Sequence, residues 1–484
     1  LRRFQVDSEC CPVGRVAFHR RGGLLSLHLI HGRHVRLWRY LPVAIGILAP
    51  SLAPVASSAQ APKPVPFETY TLPNGLTVIL AEDHAAQVVA VDVWYRVGSR
   101  NERPGRTGFA HLFEHMMFQG SENVPKAEHL RLVERAGGSV NGSTDDDRTN
   151  YFEVVPSNRM NLALWLEADR MRSLAITDST LANQTEAVKE ERRLRVDNQP
   201  YAGAFLQGLT RAYDSTTCFG YAHETIGSMA DLNAATTGDV QAFFDQYYTP
   251  NNATLTVVGD FEAAEAKELI SRYFGGIPRG NDPPPVECGH EFSPGRMALR
   301  FHDPKANLPA VLQVYRVPPL AHADAPALQL LGTLLGQGES SRLNRKLVRE
   351  TRAAVGTQAL SIARLGPGHF ALLAIANAGV PPDSVAALLA GEVTRLGSGG
   401  GVTEEELEKA KAQFRAQLVN GRQRALNLAE AFQQAMLHYG TPDAINREYD
   451  RMMAVTLDDI RRVVSTYLVP ANVVQILISS EPIS

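Results

Sequence analysis

The strongest constraint on the fold is a repeat. Residues 236–260, TTGDVQAFFDQYYTPNNATLTVVGD, return in outline at 456–480, TLDDIRRVVSTYLVPANVVQILISS, at a constant offset of 220. Thr236 matches Thr456, Asp239 matches Asp459, and Tyr247 matches Tyr467; Pro250 and Asn252 match Pro470 and Asn472. Each copy reads as a helix, a Pro-Asn turn and a buried strand. Five identities in register across 17 residues imply a duplicated domain. A chain of 484 residues is also too long for one ordinary core. The stretch 275–295, GGIPRGNDPPPVECGHEFSPG, is dense in Gly and Pro and reads as a linker between the copies. The expected fold class is α+β, with two homologous α/β-sandwich domains near 64–274 and 296–484.

Residues 1–59 do not share this character. From Arg33 they run through a basic stretch, an apolar core of about 14 residues and the small-residue stretch SSAQAP, the layout of a signal peptide. Cleavage fits after Ala59 or Ala61. The apolar run is short and broken by proline for a membrane span, and an uncleaved signal anchor is the alternative. An exported, periplasmic protein is expected. The leader carries eight Arg and two acids, so the remainder has a net charge of −9. An acidic protein without a basic run is a poor partner for nucleic acid. Cys10 and Cys11 leave with the leader. Cys218 and Cys288 remain, too few for a cysteine zinc site but able to pair in an oxidising compartment.

Chemistry concentrates in 108–120, GFAHLFEHMMFQG. His111, Glu114 and His115 stand at i, i+3 and i+4, so both imidazoles and the carboxylate share one helix face. Phe109, Leu112, Phe113, Met116 and Met117 make the helix apolar almost all round and therefore buried. Buried polar groups need partners, and a metal supplies them. Two imidazoles four apart form the bidentate half of a zinc site, and an unligated glutamate beside them can take a proton from water. The order H-x-x-E-H reverses the commoner H-E-x-x-H. A hydrolytic zinc site usually has three protein ligands. Carboxylates on the charged helix 179–196 could supply the third, and spacing alone leaves Glu186, Glu190 and Glu191 equivalent. His223, His290 and His438 are isolated and read as structural or exposed.

The array HLFEH, the segment AVKEERR and the block GSMADLN…YYTPNNATLTVVGD resemble the inverzincin peptidases of the pitrilysin, insulinase and mitochondrial processing peptidase group. The likeness is strongest to the bacterial branch of two-domain subunits of roughly 50 kDa, and it runs from about residue 66 onward. It implies a half-clamshell of two sandwich domains, of which four enclose a chamber. It also implies one Zn2+ per chain held by His111, His115 and Glu191, the last standing 76 residues after His115, with Glu114 as general base. Asn141, in SVNGST, falls on the strand edge where the family docks its peptide substrate. The implied activity is that of a zinc metalloendopeptidase acting on extended or unfolded peptides.

One departure bears on partners. The family carries an arginine and, seven residues later, a tyrosine in the second half of its catalytic unit. The matching stretch here, LVRETRAAVG, has Val348 and Val355 at those positions. Arg349 is adjacent, but a one-residue shift turns a helical side chain by about 100°. The resemblance therefore implies a second family subunit that supplies the Arg/Tyr pair, or a homodimer. A dedicated precursor-processing peptidase and a non-catalytic structural or assembly subunit of the same fold are the alternatives.

Overall fold

The computed structural model describes residues 61–288, 295–398 and 401–481. The leader and His290 lie outside them. Two mixed sheets form the frame. The first contains β1 (Glu68–Thr71), β2 (Thr77–Glu82), β3 (Val88–Tyr95), β4 (Ser139–Thr144), β5 (Thr149–Pro156) and β6 (Ala253–Gly259), in the order β1-β2-β6-β3-β5-β4. The second contains β7 (Met297–His302), β8 (Ala310–Val317), β9 (Ala354–Ile362), β10 (Gly368–Ala376) and β11 (Val473–Ser479), in the order β7-β11-β8-β10-β9. Apart from β1, the orders coincide. β6 runs parallel to β2 and antiparallel to β3, just as β11 runs parallel to β7 and antiparallel to β8.

This topology explains the repeat. In each sheet the last strand of the chain inserts between strands formed much earlier, so its entry must be tightly specified. Thr236 and Thr456 cap the helices Thr237–Tyr247 and Leu457–Tyr467, and Asp239 and Asp459 return the bond to the cap backbone. Pro250 and Pro470 open the turn that follows. The Asn252 and Asn472 amides then donate to the Tyr247 and Tyr467 carbonyls at 2.8 and 2.9 Å, closing the corner. The retained identities are the caps and the corner. β6 is buried along its whole length, with Thr254 and Thr256 set among its apolar residues.

The inner face of the first sheet packs on Phe109, Leu112, Phe113, Leu164, Ile270 and Phe274. Its outer face is covered by a helix from the other half of the chain, Ala425–Tyr439. Leu428, Phe432 and Ala435 of that helix meet Ile79, Ala81, Ala90 and Val258. The buried Gln433 amide donates to the Asp92 and Thr254 carbonyls at 2.9 and 2.8 Å. The exchange is mutual. The first-half helix Ala202–Thr210 places Phe205 and Leu209 on Leu312, Val314 and Ile476 of the second sheet. A Cys218–Cys288 disulfide ties the stretch after the first half to that layer. Among the described residues no helix is long and apolar enough to cross a membrane.

Because Phe432 is fully buried against a sheet built by the other half, Phe432→Ala should cost about 3–5 kcal/mol. A lowered urea midpoint with an unchanged slope is the expected result.

Candidate metal centre

The helix Phe109–Met116 starts without a capping side chain of its own, from Gly108 in a left-handed conformation. The buried Glu102 carboxylate takes over that role, accepting from the Gly108 and Ala110 amides at 2.8 Å each. An acid at a helix N-terminus also suits the helix dipole. Asp231 holds the preceding residue, accepting from the Thr107 amide at 3.0 Å. The backbones of Gly108 and Gly227 nearly touch there. A Cβ on Gly227, whose φ is +76°, would stand 2.4 Å from the Gly108 Cα. On the core side, the Phe113 ring stacks on Tyr248 at 4.4 Å between centroids.

The opposite face carries His111, Glu114 and His115, all partly buried. Glu191 arrives on the helix Asp178–Arg192, which continues as a π-helical segment, Arg193–Asp197. One Glu191 oxygen, Oε2, lies 3.2 Å from His115 Nε2 and 3.6 Å from His111 Nε2. A tetrahedral ion with arms of about 2.0–2.1 Å holds its donors about 3.3–3.4 Å apart, so both distances suit zinc. The neighbouring glutamates do not converge: Glu186 is exposed and pairs with Lys189, and Glu190 pairs with Arg193. The second Glu191 oxygen is fixed by Arg195 at 2.8 Å.

The electrostatics without metal favour a cation at this point. Burial pushes the His111 imidazole down to about 4, and the neighbouring His115 adds to this. Burial opposes ionisation of Glu191, but the His115 hydrogen bond and the His111 and Arg195 charges outweigh it and bring the carboxyl down to about 2. Burial likewise works against a charged His115, yet the hydrogen bond and charge of Glu191 hold it above its ordinary value. An anionic carboxylate beside two imidazoles is a ready set of ligands.

Glu114 stands outside this triad. Its Oε2 accepts from the Thr144 hydroxyl at 2.6 Å, and burial raises its carboxyl above the usual range while Thr144 pulls it back. Thr144 ends β4, an edge strand with a neighbour on one side only. The strand passes close to this carboxylate: a Cβ on Gly142 would meet Glu114 Cγ at 3.2 Å. Asn141 is exposed on the same strand, and its Oδ1 accepts from the Gly142 amide at 2.9 Å.

Sequence reasoning missed Thr144, Arg195 and Glu102, which reach the site only through tertiary contacts. The other positions lie apart. Val348 packs on the second-half core, Val355 is 51% exposed on β9, and Arg349 pairs with Glu339. His223 is partly buried beside Glu102, 3.6 Å from its carboxylate, and His438 is partly buried as well. A second group with ligand chemistry, His129, Glu153 and Glu167, is fully buried, and Arg170 pairs with both of its glutamates.

Comparisons with known proteins give the family. The family described as Insulinase (Peptidase family M16) matches residues 77–217, and the one described as Peptidase M16 inactive domain matches 234–414. A Helicobacter pylori protein named zinc protease PqqE is 30% identical over 404 residues, covering 83% of this chain and 89% of its own length. This chain belongs to the M16 peptidase family. A crystal structure of a Helicobacter pylori protease superposes with a TM-score of 0.82 at 28% identity, over 86% of this chain and all of that one. The periplasmic protease PqqL from Escherichia coli shares the fold, with a TM-score of 0.70 at 18% identity. That match covers 87% of this chain but 48% of PqqL. In family terms, the histidines and Glu191 lie in the first domain, and the segment matching the inactive domain supplies none of them.

Gly227→Ala should lower stability by about 2 kcal/mol or more, from the left-handed φ and the backbone clash together. Gly203→Ala, where a Cβ meets nothing within 4 Å, should leave the thermal midpoint unchanged or raise it. Calorimetry on the two variants checks both.

Proposed function

We propose that this chain is a zinc metalloendopeptidase that cleaves extended or unfolded peptides. The observation that carries the reading is the convergence of His111, His115 and Glu191 on one point, with Glu114 beside it and off the ligand set. When bound, a zinc ion supplies Lewis acidity, polarising a carbonyl and acidifying water. Glu114 takes the proton of the attacking water and hands it to the leaving amine. Its raised affinity for protons suits that exchange, and Thr144 keeps the receiving oxygen aimed. The peptide adds as a strand along the open side of β4, from Asn141 to Thr144, which reads backbone more than side chains. That mode favours unstructured substrates over a single precursor sequence.

A second family subunit that carries the Arg/Tyr pair completes the site in this reading. The chain has two sandwich domains, lacks the family's Arg/Tyr pair at Val348 and Val355, and corresponds to 48% of the longer PqqL. Residues 234–414, matched as an inactive domain, shape the cleft. Export to an oxidising periplasm is supported by the Cys218–Cys288 pair and the signal-like leader.

Metal analysis and peptide hydrolysis on two variants test the reading. Glu114→Gln should keep one zinc per chain and lose about 10²–10⁴-fold in turnover, whereas His111→Ala should lose both metal and activity. A wild-type protein that binds no zinc and is inactive even with its partner would instead be a structural subunit.

A further inference from the structure

The turn joining β4 to β5 lies between the two halves of the chain, and its residues are held from three sides. The Asp145 and Asp146 carbonyls accept from the Ser99 and Arg100 amides at 3.1 and 2.9 Å. The Asp147 carboxylate accepts from the Tyr221 hydroxyl at 2.6 Å and the Leu365 amide at 2.8 Å, with Arg100 Nε at 3.4 Å. Asp146 accepts from Ser99 Oγ and Thr225 Oγ1, and its other oxygen meets Arg364 Nη2 at 2.7 Å. Arg364 comes from the β9–β10 connection of the second half and is 7% exposed. Its guanidinium lies 4.9 Å from the Tyr213 ring and 4.8 Å from the Tyr221 ring, so its plane is fixed by aromatic contacts as well as by charge.

Two adjacent carboxylates at a half-buried turn repel each other, and Arg364 is the cation brought to Asp146 by the other half. Thr144, two residues before Asp146, donates to Glu114. Because β4 has β5 on one side only, the turn restrains its last residue, Thr144, which pairs with Thr149. We propose that Arg364 is a positioning residue for Glu114: it anchors the 145–147 turn, and so keeps Thr144 in place to aim the base. The second half thereby acts on the chemistry of the first without touching substrate. This deepens the peptidase reading and rests on it.

Arg364→Met and Asp146→Asn break the pair from opposite sides. Three measurements on the zinc-loaded full chain with its partner decide the matter: zinc content, kcat and KM on an unstructured fluorogenic peptide, and hydrogen exchange by mass spectrometry. Each variant should keep its zinc, lose about tenfold in kcat with a smaller change in KM, and exchange faster across 139–149 but not across β2, β3 and β6. Thr144→Val should lower kcat similarly, and adding Arg364→Met to it should cost little more, because both act through one hydrogen bond. Unchanged exchange at 139–149, fully multiplicative effects on kcat, or global unfolding of both variants would overturn the proposal. Failure of the peptidase reading looks different: Glu114→Gln would stay active while the exchange change persisted.

Discussion

The site depends on one electrostatic arrangement, a carboxylate lodged between two imidazoles. Glu191 Oε2 sits within 3.6 Å of both His111 and His115, in surroundings that resist charge on His111. Burying such a group of donors is unfavourable unless something neutralises and satisfies them. In the proposed reading a divalent cation does so, and the remaining contacts hold the three side chains ready for it. Arg195 occupies the far oxygen of Glu191, Glu102 anchors the start of the histidine helix, and Thr144 keeps Glu114 turned aside. In the proposed reading, the division of labour between a ligand glutamate and a base glutamate is set by their neighbours. Glu191 is held low by the imidazoles and Arg195 against the effect of burial, and Glu114 is raised by burial.

The rigidity behind this arrangement comes from the exchange of covering helices. Each sheet has a helix of the opposite half on its outer face, so neither half buries its sheet without the other. The first half carries His111, His115 and Glu191, yet the second supplies Phe432 and Gln433 behind β3 and β6 and Arg364 beside the β4–β5 turn. A domain that supplies none of His111, His115 and Glu191 still bears on their position. This gives the segment matched as an inactive domain a physical role.

The parts of the site written locally could be read from the sequence. His111, Glu114 and His115 share a helix face by spacing alone, and the repeated Thr, Asp, Pro and Asn marked two copies of one cap-and-corner unit. Glu191 was different. Spacing left it level with Glu186 and Glu190, and family resemblance singled it out. In the fold the difference is orientation, since Glu186 and Glu190 face solvent with Lys189 and Arg193 as partners. Thr144, Glu102 and Arg364 carried no signal, because a lone Thr, Glu or Arg gains meaning only from what a distant segment brings to it. The helix exchange was equally hidden, because the stripe of Leu428, Phe432 and Ala435 fits either sheet.

X-ray absorption at the zinc edge, on protein purified with its metal, tests the central claim most directly. The account predicts two imidazole nitrogens and one carboxylate oxygen at about 2.0–2.2 Å with a further light-atom ligand, and the same spectrum for Glu114→Gln. A sulfur scatterer near 2.3 Å, or a first shell that changes when Glu114 is replaced, would contradict it.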